Sequence, residues 1–138
     1  MEFIDRKEYE RISFWKIEND ILLFKYAPKT EIDISIAKRM VENRLDYTSG
    51  KSIYALIDFT NVKSVTKEAR DYMNSPEGGL RGISGGAFLS NNVVATLFIN
   101  LYLKVSNPSI PAKFFTSQQD ALRWLQQIKA ERTEVVVN

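Results

Sequence analysis

The residues best placed to do chemistry lie in one stretch, directly after an apolar run. The run Ile53–Asp58 ends in a carboxylate, and hydroxyl, amide and charged side chains follow it. In α/β proteins the carboxyl end of a central strand is where ligands usually bind, so this stretch is the candidate working surface. Its members are Asp58, Thr60, Asn61, Ser64, Thr66, Lys67 and Glu68. The alternative is structural: Asp58 accepts backbone N–H groups of its own turn, as Asp often does.

Composition excludes most catalytic machinery. The chain contains no His and no Cys, which removes Ser-His-Asp and Cys-His chemistry, disulfides and thiolate metal sites. Its carboxylates are scattered, and no spacing suggests a glycosidase pair or a metal site. We therefore predict no catalytic residues, no metal and no cofactor.

Charge and hydropathy narrow the classes of partner. The 138 residues carry a formal net charge of +2, and no basic cluster indicates a nucleic-acid surface. The N-terminus Met1–Glu8 lacks the apolar core of a signal peptide. The longest apolar segment, Val93–Val105, is interrupted by Asn100 and Lys104 and is too short to span a bilayer. We predict a cytoplasmic protein without nucleic acid and without stable membrane insertion.

Hydrophobic periodicity predicts alternating strands and helices. Thr30 and Thr66 are predicted helix N-caps, Gly50 follows the end of the first helix, and Ser117 caps the last. The predicted elements are a hairpin of Arg11–Glu18 and Ile21–Tyr26, a helix Glu31–Thr48, a strand Ile53–Asp58, a helix Thr66–Asn74, a strand Ala87–Ser90, a helix Asn92–Lys104, a strand Lys113–Thr116 and a final helix.

This element order predicts the fold class. Strands that alternate with helices favour right-handed crossovers and a largely parallel sheet, to which the hairpin adds an antiparallel edge. We expect an α/β domain with a mixed four- to five-stranded sheet, an N-terminal β-hairpin and four helices. Residues 1–138 form a single domain in this interpretation, with 1–10 and 131–138 peripheral and the last residues frayed or in a short edge strand.

The order of elements resembles the STAS domain of anti-sigma-factor antagonists, from about Ile12 to Lys129. The similarity lies in the strand ending at Asp58, the apolar residue and Thr60 after it, and the helix start at Thr66. The strand-to-helix ending Phe114-Phe115-Thr116-Ser117 also fits. The resemblance implies a non-catalytic regulatory module that binds a protein partner through the seven candidate residues named above, which lie between positions 58 and 68.

One departure from that family concerns its regulatory switch. In STAS domains of this kind the second helix begins with an Asp-Ser-Ser-Gly-like sequence, in which a partner kinase phosphorylates one Ser. Matched from Asp58, the two Ser positions fall on Lys67 and Glu68, and the Gly position falls on Ala69. The resemblance thus implies a docking platform without the switch serine. Glu68 either resembles a permanently charged form or simply favours the positive end of the helix dipole.

Two further features admit more than one interpretation. Five of the six glycines lie between Gly78 and Gly86, after a helix and before a strand, which predicts a mobile loop over a surface or cleft rather than a phosphate-binding loop. On the helix Asn92–Lys104 a second apolar stripe consists of Ala95, Ile99 and Leu103. That stripe packs in the core, contacts a protein partner or a second copy of the chain in a homodimer, lies on a membrane surface, or lines the site of a small apolar ligand or lipid.

Overall fold

The computed structural model describes residues 4–91 and 110–137, with side chains for 7–91 and 110–132. The described part contains eight strands and three helices. The strands are β1 (Ile4–Glu8), β2 (Ile12–Glu18), β3 (Ile21–Tyr26), β4 (Thr30–Ile32), β5 (Ile53–Asp58), β6 (Val62–Val65), β7 (Ile83–Leu89) and β8 (Ala112–Phe115). The helices are α1 (Ile34–Thr48), α2 (Lys67–Met73) and α3 (Gln118–Val137).

The predicted α/β fold class is confirmed. Six strands form one mixed sheet in the order β1-β2-β3-β5-β7-β8. β1, β2 and β3 pair antiparallel, and β3, β5, β7 and β8 pair parallel. The sheet exceeds the four or five predicted strands because β1 pairs on its edge. Its sequence Ile4-Asp5-Arg6-Lys7-Glu8 is charged, which suits an edge strand but gives no apolar alternation to detect.

Helices cover both faces of this sheet, as the continuous apolar sequence of β5 predicts. On one face, Phe14, Phe24 and Ala55 pack with residues of α1 and α2. On the other, Leu56 packs with Leu125 of α3. Successive residues of β5 alternate between these two cores because strand side chains point to opposite faces in turn.

The prediction that Thr30 caps the first helix is wrong, because Thr30 lies in a second, two-stranded sheet. β4 and β6 pair in parallel beside the main sheet. Thr30 is 2% exposed and lies in β4, and its hydroxyl donates to the carbonyl of Ala27 at 2.6 Å. The cap is instead Asp33, whose carboxylate accepts the N–H of Ile36 at 2.9 Å. Each strand has only three or four residues, too few to show a period, so the sequence indicated a helix start and a turn.

Two further boundaries differ from expectation. β7 begins at Ile83, so Gly85 and Gly86 belong to the strand rather than to the preceding loop. A Cβ at Gly85 would lie 2.7 Å from the Ile128 side chain, which shows how closely α3 approaches the sheet. α3 continues to Val137, so the terminal residues 131–137 extend a helix instead of fraying or forming an edge strand. The predicted helix Asn92–Lys104 lies outside the described residues.

Candidate functional site

Asp58 ends β5, and its carboxylate stabilises the turn that follows. Asp58 Oδ1 accepts the backbone N–H of Thr60 at 3.0 Å. The intervening residue, Phe59, donates its N–H to the carbonyl of Leu89 at 2.8 Å. Asp58 is half-buried in this arrangement. The carboxylate therefore has the turn-forming role that the sequence offered as the structural alternative.

Asn61 connects the same turn to β3 and β4 by hydrogen bonds. Its side-chain amide donates to the carbonyl of Tyr26 at 3.1 Å, at the end of β3. Its own backbone carbonyl accepts the N–H of Thr30 at 3.1 Å, at the start of β4. The exposed Asn61 thus fixes the position of the turn through both side chain and backbone.

The start of α2 is fixed by Thr66, as the sequence predicts. The Thr66 hydroxyl accepts the N–H of Ala69 at 3.2 Å, which is the hydrogen bond expected of an N-cap. The Thr66 backbone N–H donates to the carbonyl of Ile32 at 2.9 Å. These two bonds set the position of the first helical turn relative to β4.

The next three residues divide between solvent and core. Lys67 and Glu68 are exposed, whereas Ala69 is fully buried. Lys67 Nζ pairs with Asp71 Oδ2 at 3.2 Å, one turn further along the helix. Glu68 lies in the first turn, where a carboxylate interacts favourably with the positive end of the helix. Both charged side chains are accessible from outside.

The seven predicted residues form two groups rather than one cluster. Asp58, Thr60 and Asn61 precede β6, and Thr66 to Glu68 follow it. β6 has four residues, which corresponds to a separation of roughly 13 Å. Ser64 lies within β6, half-buried and paired in register with Glu31 of β4. We refer to this whole region as the Asp58–Glu68 surface.

A cavity that the sequence did not predict lies between the sheet and the two helices α1 and α2. It has a volume of about 120 Å³. Its described lining residues are uncharged except for two arginines, Arg44 of α1 and Arg70 of α2. We call it the arginine-lined cavity. The lining comprises Ile12, Phe14, Phe24, Tyr26, Ala37, Met40, Val41, Arg44, Ile57, Phe59, Val65, Arg70, Met73, Gly79, Leu80, Ile83, Gly86, Phe88, Ile110 and Ala112.

Arg44 is a buried cation with incomplete hydrogen bonding. The residue is 2% exposed, and its Nη2 donates to the carbonyl of Gly79 at 3.2 Å. Its Nη1 is buried and has no hydrogen-bond partner among the described residues. Desolvation, and then the nearby charge of Arg81, lower the pKa of Arg44 to about 10, so it remains protonated at pH 7.

Arg70 on the facing helix α2 is half-buried. Its Nε is buried and likewise has no partner within the described part of the chain. A signal for Arg44 did exist in the sequence, because Arg44 continues the apolar stripe of Ala37 and Val41 at spacings of four and three. A cation at a core-facing helical position is uncommon unless it is paired.

Other predicted features have limited counterparts in the described residues. Within residues 4–91 and 110–137, no group of three or more His, Cys, Asp or Glu side chains could hold a metal ion. Over the same ranges, no helix is both long enough and apolar enough to cross a membrane. The apolar stripe Ala95, Ile99 and Leu103 lies outside the described residues.

The glycine segment is a series of hydrogen-bonded turns at the end of α2. The N–H of Gly79 donates to the carbonyl of Tyr72 at 3.0 Å, and the N–H of Leu80 donates to that of Ser75 at 3.1 Å. A Cβ on Gly79 would overlap the carbonyl oxygen of Met73. Only a glycine allows this approach, which places the Gly79 carbonyl against Arg44 and closes one side of the cavity.

Comparison with known proteins places the chain in a family. A family described as a domain of unknown function (DUF7793) matches residues 14–129. The chain belongs to this family. Among solved structures, it is similar to an uncharacterised protein of the DUF3478 family with a SpoIIAA-like fold, from Shewanella loihica PV-4. The two share 20% identity with a TM-score of 0.59, over 83% of this chain and 91% of that one. No curated protein matches.

This DUF7793 chain therefore has a STAS-like fold, as its element order predicts. The fold gives the Asp58–Glu68 surface its position, between the end of a central strand and the start of the second helix. At the two positions where the resemblance predicts serines, the structure has the exposed Lys67 and Glu68. The position of the expected glycine is the buried Ala69, which packs into the core below them.

Proposed function

We propose that this chain is a non-catalytic cytoplasmic protein-interaction or regulatory module that binds a protein partner through the Asp58–Glu68 surface. The observation that carries the proposal is the start of α2, where charged side chains are presented to solvent on a fixed backbone. Thr66 caps the helix, and Lys67 and Glu68 project outward from the first turn.

Hydrogen bonds within the Asp58–Glu68 surface support this proposal, because they hold its backbone in one conformation before a partner binds. Asp58, Asn61 and Thr66 each bond to backbone groups of their own or neighbouring elements. A partner that docks there does not have to order the loop, which reduces the entropic cost of association. Glu68 contributes little to folding at its exposed position, so its side chain is available for an intermolecular contact.

A charge reversal at Glu68 tests the proposal. The full chain, tagged and expressed in its native cells, would be purified with its partners as wild type, Glu68→Arg and Thr60→Arg. We expect a protein that copurifies with the wild type to be lost in Glu68→Arg and depleted in Thr60→Arg. Glu131→Arg on α3 is the matched control, since it makes the same charge change at an exposed site on a helix that packs on the opposite face of the sheet.

Two outcomes of this experiment would contradict the proposal. If the same partners copurify with the wild type and with Glu68→Arg, the Asp58–Glu68 surface is not the docking site. If nothing copurifies with the wild type in native cells, the interaction proposal itself is contradicted. Thermal unfolding of each variant shows whether it is folded, and the substitutions at the exposed Glu68 and Glu131 should change stability by no more than about 0.5 kcal/mol.

A second candidate function is the binding of a small, mainly apolar ligand. The arginine-lined cavity favours it, because small-molecule sites are concave, mostly apolar and contain a few polar groups. Native mass spectrometry of the protein purified from its own cells checks this candidate. It predicts a bound small molecule that is released on denaturation, and a bare polypeptide mass would count against it.

A further inference from the structure

The arginine-lined cavity combines an apolar enclosure with positive charge that the protein itself does not neutralise. Its walls come from both layers: Phe88 and Ile57 belong to the sheet, Met40 to α1 and Met73 to α2. No acidic side chain is among its described lining residues. A neutral hydrocarbon would use the walls and leave the charge uncompensated. A polar anion would use the charge and leave the walls in contact with water.

Each of the two arginines has a buried N–H group without an acceptor. Arg44 uses Nη2 on the Gly79 carbonyl, and its Nη1 has no partner in the described part of the chain. On α2 the half-buried Arg70 has a buried Nε that also has no partner in the described part of the chain. Buried polar groups are normally hydrogen-bonded, and a buried cation without a counter-ion is strongly unfavourable. A ligand with an acidic group would supply both the acceptors and the missing negative charge.

The pKa of Arg44 agrees with this geometry. It is lowered first by burial and then by the charge of Arg81, and the groups that oppose the decrease are Tyr26 and Tyr72. No carboxylate is among the influences on Arg44. An anion brought into the cavity would raise that pKa again and would be held by an undiminished charge at neutral pH.

We propose that the arginine-lined cavity binds a monocarboxylic acid, with the start of its hydrocarbon chain between the sheet and the helices and its carboxylate paired with Arg44 and Arg70. Guanidinium is suited to this role because its planar N–H groups match the two oxygens of a carboxylate. At roughly 30 Å³ per water, the cavity of about 120 Å³ has space for on the order of four waters, which is enough for a carboxylate and the first carbons of a chain.

This inference rests on the second candidate function, and a set of four probes separates the two. The full chain would be titrated by calorimetry with octanoate, 1-octanol, octylammonium and acetate. We expect saturable binding of octanoate, binding at least tenfold weaker for 1-octanol, and no binding of octylammonium or acetate. Equal binding of octanoate and 1-octanol would overturn the acid proposal and retain the apolar-ligand function. Binding of none of the four would overturn both.

Substitutions of the arginines then test the assigned residues. Arg44→Met and Arg70→Met should each weaken octanoate at least tenfold and leave the weak binding of 1-octanol unchanged. Arg81→Met is the matched control, because it removes the same charge near Arg44 but Arg81 is exposed and outside the cavity lining. We expect it to retain octanoate binding within about threefold, since exposed charges are screened. Arg44→Lys should recover part of the affinity, because it restores the charge without the planar fork.

Thermal unfolding distinguishes ligand binding from a purely structural role of Arg44. If Arg44 serves mainly to hold Gly79, Arg44→Met should lower the melting temperature and leave octanoate binding intact, which would overturn the proposal. The proposal expects the ligand-free Arg44→Met protein to melt a few degrees higher than the wild type and to lose the stabilisation that octanoate gives. Should Arg44→Met fail to fold, Arg70→Met and the octanoate–octanol comparison decide the matter.

Discussion

The Asp58–Glu68 surface and the arginine-lined cavity both include residues of the short helix α2. They differ in how their polar groups are hydrogen-bonded. On the surface, the polar groups of Asp58, Asn61 and Thr66 bond to the backbone of the same chain. In the cavity, Arg44 and Arg70 retain buried N–H groups with no partner among the described residues. The first region is internally satisfied and polar, and the second is apolar and unsatisfied.

The difference indicates what each region is suited to bind. A satisfied polar turn provides a rigid platform, and its contribution to recognition comes from the exposed side chains that it carries. An unsatisfied buried charge is unstable by itself, so it persists where something else completes it. The comparison therefore separates the proposed docking surface from the proposed ligand cavity, although α2 contributes residues to both.

The largest expected effect is on the wall of the cavity. Gly79→Ala should destabilise the fold by roughly 3 kcal/mol, because the new methyl group would overlap the backbone of Met73. Urea denaturation measures the change. Gly50→Ala is the control: Gly50 has a φ of +74° and nothing within 4 Å, so only backbone strain of about 1 kcal/mol is expected. Equal effects at the two positions would show that the close approach at Gly79 is unimportant.

Removal of the buried charge of Arg44 should stabilise the protein, in contrast to Gly79→Ala. Arg44→Met is expected to stabilise the ligand-free protein by about 1–2 kcal/mol, because an apolar side chain of similar length replaces an uncompensated cation. The gain is measured by urea denaturation at pH 7. Destabilisation by a similar amount would mean that the hydrogen bond to Gly79 outweighs the penalty of burial.

The stabilisation by Arg44→Met should depend on pH, because it comes from removing a buried charge. The pKa of Arg44 is about 10 in the folded protein and is lower than its ordinary value of 12.5. Between these values the unfolded chain binds more protons than the folded chain, so a rise in pH stabilises the wild type. The burial penalty is fully present below about pH 10 and decreases above it. We therefore expect the advantage of Arg44→Met to be constant from pH 7 to about 9 and to decrease by about pH 11.

A smaller loss is expected at the helix cap of the Asp58–Glu68 surface. Thr66→Ala removes the acceptor for the Ala69 N–H and should destabilise the protein by about 1 kcal/mol. Thr66→Ser keeps that acceptor and should remain within about 0.5 kcal/mol of the wild type. Chemical denaturation of both variants provides the comparison. If Ala and Ser are equivalent at this position, the cap does not set the start of α2.

The smallest effect concerns the exposed ion pair beside the cap. Lys67 and Asp71 are largely exposed, so Lys67→Ala should change stability by only about 0.3–0.5 kcal/mol, and less in high salt. A change above 1 kcal/mol would show that Lys67 has a structural role and is not simply an exposed side chain available to a partner.

Features were predicted correctly where a few neighbouring residues signal them. The end of β5 at Asp58 and the cap at Thr66 were predicted correctly, because an apolar run and a hydroxyl before a helical pattern are both signals within a few residues. β4 and β6 were missed, because three- and four-residue strands carry no detectable period.

The cavity could not be predicted for a different reason. It exists because Gly79 lets a turn approach α2, and because Arg44 and Arg70 lie on two helices that meet only in the folded chain. No local pattern encodes that meeting. An arginine on an apolar helical stripe was the one available signal, and its usual interpretation is a long side chain that reaches solvent.

The most direct test of the account measures both activities on the same two variants. Glu68→Arg and Arg44→Met would each be assayed for copurification of the protein partner and for octanoate affinity. The account predicts that Glu68→Arg loses the partner and binds octanoate like the wild type, whereas Arg44→Met keeps the partner and binds octanoate at least tenfold more weakly. Loss of both activities in each folded variant, or of neither in both, would contradict the separation of the two sites.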